Sequence, residues 1–321
     1  MKTMDVTALG ELLIDFTESG LSEQGNTLLE ANPGGAPCNV LAMLTKLGRK
    51  TAFIGKVGND SFGKLLKSVV ESAGIDTRNL KMDDQVHTTL AFVHKTPSGD
   101  RDFSFYRNPG ADMMLRADEV MEELIASSRI FHFGSLSMTN EPVREATRKA
   151  IELAEKHGCT ITFDPNLREP LWGSLDEARE QIAYGMAHCD VMKISDNEIR
   201  WFTGEEEFDR GIEKLQKTYG IPLILLSKGK DGSSAYYKGM RVDAEAFLQE
   251  NTVETTGAGD TFCACVLNTV LEKGLENLTA EDLKTMLVFA NAAASIITTR
   301  KGALRVMPER EEVEALIAER M

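Results

Sequence analysis

The chain has 321 residues, 42% of them apolar, enough for one large covered core or two smaller ones. Its 36 Lys and Arg against 50 Asp and Glu leave a net charge of −14, which argues against a nucleic-acid partner, because phosphate backbones need basic patches. No run approaches the ~20 apolar residues of a membrane span, and residues 1–5 lead into a short strand without a signal-peptide pattern, so a cytoplasmic protein with no membrane partner is expected.

In chain order, an apolar run at 6–9 predicts a first strand, and runs at 51–57, 130–133, 160–163, 191–194 and 223–227 predict five more. Most are apolar throughout, as strands buried on both faces of a sheet are. Helical periodicity fills 142–157, 175–187 and 207–219, and Gly158 and Gly220 stand where helix-ending glycines belong. This alternation predicts a doubly wound α/β domain whose mostly parallel sheet is flanked by helices and binds ligands at the carboxyl ends of its strands. Strand candidates at 12–16, 27–30, 87–93 and 102–106 break the alternation, with turn chemistry at Pro97-Ser98-Gly99-Asp100. They predict a small β-sheet lid, from about 12–32 and 87–108, on a single domain spanning 1–321. Five cysteines, at 38, 159, 189, 263 and 265, lack the spacing of a zinc or redox site and read as small core residues.

The segment Thr255-Thr256-Gly257-Ala258-Gly259-Asp260-Thr261-Phe262 carries the most chemistry. The run after it, Cys263-Ala264-Cys265-Val266-Leu267, is small and apolar enough for a buried helix. Uncovered amides at the start of such a helix, at the positive end of its dipole, form a phosphate site. Asp260 then has two readings. It is an ordinary N-cap, or it is a base that takes the proton of an attacking hydroxyl while the Gly257, Ala258 and Gly259 amides stabilise a transferring phosphoryl group. Two familiar nucleotide motifs do not apply: the third glycine of a dinucleotide fingerprint is Phe262 here, and Gly55-Lys56 is followed by Val57 rather than Ser or Thr.

A second segment lies near the start: Gly34-Gly35-Ala36-Pro37-Cys38-Asn39-Val40, then Gly48, Gly55 and Gly58-Asn59-Asp60-Ser61-Phe62-Gly63. Taken alone it describes a tight turn, or a backbone that passes close to a ligand with Asn39 offering a donor and an acceptor. Together the two segments resemble the signatures of the ribokinase-type, or PfkB, carbohydrate kinase family, in the family's order, and the likeness runs from about Asp5 to Arg305. Tyr106-Arg107-Asn108-Pro109-Gly110-Ala111-Asp112 is similar to a stretch of fructokinases. Asp164-Pro165-Asn166-Leu167-Arg168 is similar to one shared by fructokinases and 2-keto-3-deoxygluconate kinases.

The resemblance implies a ribokinase-like fold with a β-lid, ATP and Mg²⁺ as cofactors, and K⁺ as a further candidate. It implies transfer of the γ-phosphate to a primary hydroxyl of a ketose, with D-fructose as first choice. 2-Keto-3-deoxygluconate, ribose or a ribonucleoside-like acceptor are alternatives, and a non-catalytic sugar-binding regulator is a rival of another class. Implied sugar contacts are Asp15, Gly34, Gly35, Asn39, Arg107 and Arg168, with Arg168 assigned to the sugar or to nucleotide phosphate. Implied ATP contacts are Lys193, Ser227, Lys228, Gly229, Gly232, Thr256, Gly257, Gly259 and Asn291, with Glu198 holding Mg²⁺ through water. Two positions depart from the family pattern. Ser195 stands where an Asn is usual, three residues before Glu198, and Glu254 replaces an Asp in a region that forms a monovalent-cation site with residues 291–301. A homodimer that covers the lid edges is the expected assembly.

Overall fold

A computed structural model describes residues 2–95 and 101–320, so the turn expected at 97–100 lies outside the described residues. In chain order the strands are β1 (Met4–Leu9), β2 (Leu13–Leu21), β3 (Thr27–Gly34), β4 (Thr51–Gly58), β5 (Asp76–Asp83), β6 (Leu90–Lys95), β7 (Arg101–Tyr106), β8 (Ser128–Gly134), β9 (Thr160–Asp164), β10 (Val191–Ser195), β11 (Leu223–Ser227), β12 (Ser233–Tyr237) and β13 (Met240–Ala244). The α-helices are α1 (Ala36–Lys46), α2 (Ser61–Ser72), α3 (Glu122–Ala126), α4 (Val143–Lys156), α5 (Leu175–Ala187), α6 (Asp196–Thr203), α7 (Phe208–Tyr219), α8 (Ala258–Lys273), α9 (Ala280–Ile297) and α10 (Arg310–Arg320).

The main sheet has nine strands in the order β13-β12-β11-β10-β9-β8-β1-β4-β5. Seven strands, β11 through β5 in that order, pair in parallel, and the β12–β13 hairpin closes one edge in antiparallel fashion. Alternate residues of each central strand feed different cores. Leu223 and Leu225 pack with α1, α8 and α9, while Ile224 and Leu226 pack with α4 to α7 on the other face. That two-sided burial is what the uninterrupted apolar runs encode. The doubly wound α/β class expected from the sequence is the class observed.

The chain first winds outward from β1 through β4 to β5, then returns to β8 on the other side of β1 and winds the opposite way. The switch point is therefore between β1 and β8. Loops diverge there at the carboxyl ends and leave a crevice.

The second sheet has four strands in the order β3-β2-β6-β7. On one face Phe16 stacks on Phe92 at 5.0 Å and meets Phe62 of α2 edge-on at 5.6 Å, which seats the sheet on the main body. Asp15 pairs with Asn32 across β2 and β3, and Asp15 lines the crevice beneath the sheet. Where the sheet joins the body, Asp60 caps α2 through the Gly63 N–H and also accepts the Thr88 N–H at 2.8 Å.

Candidate active site

The helix α8 starts at Gly257, whose φ of 77° is left-handed and whose missing side chain leaves room for Ala303; a Cβ would lie 2.7 Å from that of Ala303. The first turn is Ala258-Gly259-Asp260, and its early amides lie at the positive end of a 16-residue helix. Asp260 is the third helical residue, past the cap, and no side chain caps this helix. The ordinary N-cap reading is thereby removed. Its carboxylate instead accepts a hydrogen bond from Asn39 Nδ2 at 2.7 Å, across from α1.

Two cavities meet at this turn. One, of about 370 Å³, lies between the four-stranded sheet and the switch-point crevice, and its wall includes Glu11, Asp15, Gly35, Asn39, Arg168 and Asp260. The other, of about 360 Å³, lies between the β11–β12 connection, the 246–252 segment and helices α8 and α9. Thr255 and Gly259 belong to both walls. A molecule in each cavity would thus meet its neighbour at the start of α8, beside Asp260. A third space, of about 340 Å³, adjoins the first through Asn166, Arg168 and Lys193, and reaches Ser195, Glu198 and Trp201.

One side of the junction concentrates positive charge. Lys193 is buried and its Nζ lies 3.1 Å from Asp164 Oδ2. A Cβ on Gly259 would be only 3.2 Å from that Nζ, so the bare glycine lets an ammonium sit against the positive end of α8. A cation and a helix N-terminus repel, and Arg168 adds further positive charge to the same wall. An incoming phosphate relieves all three. Burial pulls the Lys193 pKa down, but Asp164, Glu198 and Asp260 outweigh it and hold the ammonium charged. Burial raises Asp164 to about 6 despite Lys193. Burial also raises Asp260 above the ordinary aspartate value, while the Asn39 hydrogen bond, Lys193 and Arg168 oppose that rise. A carboxylate shifted this way is a better proton acceptor than a solvated one.

The fold and this geometry agree with known proteins. A family model described as pfkB family carbohydrate kinase matches residues 4–310. The chain belongs to the pfkB family of carbohydrate kinases. It is 41% identical over 305 residues to probable fructokinase-2 of Arabidopsis thaliana, covering 94% of this chain and 92% of that one. It is 39% identical over 318 residues to fructokinase-2 of Solanum lycopersicum, covering 97% and 95%. A solved fructokinase with bound ATP from Xylella fastidiosa matches with a TM-score of 0.90 at 27% identity, covering 100% of this chain and 99% of that one. A fructokinase double mutant from Vibrio cholerae, bound to fructose, ADP and potassium ion, matches with a TM-score of 0.88 at 26% identity over 99% of each chain.

Within this kinase the residues singled out from sequence fall into three groups. Asp15, Gly35, Asn39, Arg168, Lys193, Thr256, Gly257, Gly259 and Asp260 all line the first cavity, and Ser227, Gly229, Gly232 and Asn291 line the second. Ala258 also lines the second cavity, and Gly34 flanks the first, where a Cβ on it would lie 2.5 Å from Asp15 Oδ2. Gly35 is tightly constrained, with φ of 130° and the Glu11 carbonyl 2.3 Å from where a Cβ would be. Gly35→Ala is therefore expected to displace the β1–β2 connection and raise KM for the sugar by at least about tenfold, with a lowered melting temperature. Steady-state kinetics and a thermal melt check this; a wild-type KM would contradict it.

Several expected contacts are placed otherwise. Arg107 is buried, and its guanidinium turns to Asp112 Oδ2 (2.8 Å), Thr139 Oγ1 (2.9 Å) and the Leu136 carbonyl (3.1 Å) rather than to the sugar-side cavity. It holds the return of β7 into the body, with Nε and both terminal nitrogens engaged by these partners. Lys228 reaches towards Asp243 at 3.5 Å, away from the second cavity, where Lys230 lies instead. Asn291 contributes to the cavity wall but binds the Ser233 hydroxyl and the Ala244 and Glu245 carbonyls, so it shapes the wall with its amide occupied. Glu198 accepts the Ser195 N–H and hydroxyl with one oxygen and the Leu167 N–H with the other. Burial disfavours its charge, but Lys193 and these bonds hold its pKa below the ordinary glutamate value.

Sequence reasoning assigned no role to Glu11, Asn166 or Lys230. Glu11 is 4% exposed, lines the sugar-side cavity and accepts the Ala36 N–H at 2.7 Å; burial raises its pKa to about 7. Asn166 holds a left-handed φ of 44° between the first and third spaces. A carboxylate buried two residues past a strand of the switch point is a signal that position alone, once β1 was placed, made available.

Proposed function

We propose that this kinase transfers the γ-phosphate of ATP to the 6-hydroxyl of D-fructose, with Asp260 as general base. The observation that carries the reading is the junction itself. A polar cavity roofed by the four-stranded sheet and a more apolar cavity beside α9 open to one another at Thr255 and Gly259, next to a buried carboxylate. In this reading the sugar lies under Asp15, against the Gly34-Gly35 backbone and near Arg168. Adenine lies against Phe247 and the Gly229–Gly232 turn, and the triphosphate runs to the Gly257–Gly259 amides and Lys193. Asp260 takes the hydroxyl proton as the oxygen attacks phosphorus, and the amides and Lys193 stabilise charge on the transferring group. The four-stranded sheet acts as a lid that keeps water from competing as acceptor, and the whole chain works as one catalytic unit.

Mg²⁺ fits this site only through water and phosphate. Among the described residues no group of three or more His, Cys, Asp or Glu is arranged to hold a metal directly, and Glu198, already accepting three hydrogen bonds, suits an outer-sphere role. The ion would neutralise phosphate charge during transfer. K⁺ is proposed in the loop where Glu254 meets residues 298–302; Glu254 Oε1 accepts the Gly302 N–H at 2.8 Å, which leaves its other oxygen for a cation. The proposal also includes a homodimer formed through the lid sheet, where Leu21, Leu28 and Leu29 are exposed, and a cytoplasmic setting that keeps the five free cysteines reduced.

A coupled assay of ADP release over a panel of fructose, ribose, 2-keto-3-deoxygluconate and a ribonucleoside tests the substrate. Fructose is expected to give the highest kcat/KM. Silence with fructose and turnover of another sugar would overturn the assignment.

A further inference from the structure

We propose that Gln249 reads the nucleobase: it selects a 6-amino purine, and so ATP over GTP, as phosphate donor. The inference rests on the placement of adenine in the cavity lined by Phe247 and extends it to the identity of the base. Gln249 is half-buried on the 246–252 segment and lines that cavity with Phe247, Ala294 and Ser295. Its Nε2 donates to Ser295 Oγ of α9 at 3.2 Å. Ser295 is buried, and its own hydroxyl hydrogen goes to the Ala292 carbonyl at 2.9 Å, one turn back along α9. The serine oxygen is therefore an acceptor, and the amide must present its NH2 end to it. Turning the amide over would set Oε1 against that oxygen or break the Ala292 bond. One bond from α9 thus fixes the amide's orientation, and Oε1 is the end left for a ligand.

Other polar groups of the same wall are of the same kind. Asn291 donates its amide hydrogens to the Ala244 and Glu245 carbonyls, at 3.3 and 3.0 Å. Thr298 donates its hydroxyl hydrogen to the Ser295 carbonyl at 2.7 Å, and Thr252 donates to the Gln249 carbonyl at 3.1 Å. Both hydroxyl oxygens are then left to a ligand only as acceptors. The amino group at position 6 of adenine is a double donor and satisfies such a wall, whereas guanine carries an acceptor oxygen at the same position. Placing that oxygen against Oε1 opposes two acceptors with no hydrogen between them, which is worse than an absent bond. Lys230, on the β11–β12 connection, is an exposed cation on the same cavity and is the group that would favour a 6-oxo base instead.

The test is kcat/KM for ATP and for GTP, at saturating fructose, in wild type and in Gln249→Met, which keeps the length of the side chain and removes its amide. Each variant is first shown by a thermal melt to fold cooperatively. Wild type is expected to favour ATP by roughly 30-fold or more. In Gln249→Met that ratio is expected to fall by roughly 5- to 30-fold, the worth of one hydrogen bond together with one opposed acceptor pair. The loss with ATP is expected in KM rather than kcat, because the base is remote from the transferring phosphoryl. Ser295→Ala frees the amide to turn and donate to a 6-oxygen, so kcat/KM for GTP is expected to rise by about threefold or more.

An unchanged ATP-to-GTP ratio in Gln249→Met would overturn the inference. So would a wild type that uses GTP as well as ATP or better, which would give the reading of the base to Lys230. No gain with GTP in Ser295→Ala would overturn the amide orientation on which the inference stands. Phe247→Ala separates these failures from a failure of the adenine placement. If it raises KM for both nucleotides by about tenfold while the ratio in Gln249→Met stays unchanged, the base lies in this cavity and Gln249 does not read it. If it leaves KM for both nucleotides unchanged, the placement itself fails and the inference with it.

Discussion

Asp260→Asn is expected to lower kcat by roughly 10²- to 10⁴-fold, the range for loss of a positioned general base, while the protein stays folded. Asparagine keeps the shape of the side chain and its contact with Asn39, so geometry is a small part of the loss. The chemical part is the proton acceptor. In the wild type, burial raises the Asp260 pKa, which makes the carboxylate more basic than a solvated one. The stability consequence has the opposite sign. A carboxyl whose folded pKa is raised above its unfolded value contributes stability below the unfolded pKa, and that contribution is lost as pH rises through the folded one. At neutral pH the ionised group is therefore a burden on the fold, and removing the charge should leave the melting temperature unchanged or slightly higher. Kinetics and a thermal melt on one preparation check both statements. A kcat within a few-fold of wild type would contradict the base assignment.

Lys193→Met is expected to have an effect of similar size on turnover, with a large loss of stability. Lys193 is the buried cation among three carboxylates, Asp164, Glu198 and Asp260. Removing one partner of a buried pair leaves an uncompensated charge and costs about 3–5 kcal/mol. The loss depends on pH. Asp164 is held at about 6 with the ammonium in place, and without it the group would climb further. Its protonation below that value restores neutrality, so the melting temperature of the variant should recover as pH falls from about 8 towards about 5. On catalysis, Lys193 lies where the transferring phosphoryl would sit against Gly259, and its loss is expected to lower kcat by about 10³-fold. Wild-type turnover, or a melting temperature independent of pH in the variant, would contradict the role.

The central strands were legible because burial on both faces writes itself as an unbroken apolar run. The runs expected at 51–57 and 223–227 are β4 and β11 to within one residue at each end. Three strands were not foreseen. β5 is an edge strand whose sequence, Asp76 to Asp83, is mostly polar because only Asn79 and Leu80 are fully buried. The β12–β13 hairpin had a usable signal: Lys238 and Gly239 both take left-handed φ, 47° and 77°, the pattern of a tight two-residue hairpin turn that often carries a glycine.

In the site, the glycine-rich start of α8 was legible because its chemistry is local. The partners that tune it were not, because they are distant in sequence. Asn39 and Asp260 are 221 residues apart, and nothing in either segment says that they touch. Arg107 shows the converse. Its placement at a strand end suggested a ligand role, but only the fold brings Asp112, Thr139 and the Leu136 carbonyl to its guanidinium. Whether an arginine faces a ligand or a carboxylate is decided by tertiary packing, which one-dimensional spacing does not contain.

A structure of the kinase with fructose and a non-hydrolysable ATP analogue tests the central claim most directly. The account predicts fructose in the cavity under Asp15, adenine in the cavity lined by Phe247, and the terminal phosphate at the Gly257–Gly259 amides. It further predicts that the 6-hydroxyl lies within hydrogen-bonding distance of the Asp260 carboxylate. Fructose bound with every hydroxyl beyond the reach of Asp260, or a triphosphate that ends away from the start of α8, would contradict it.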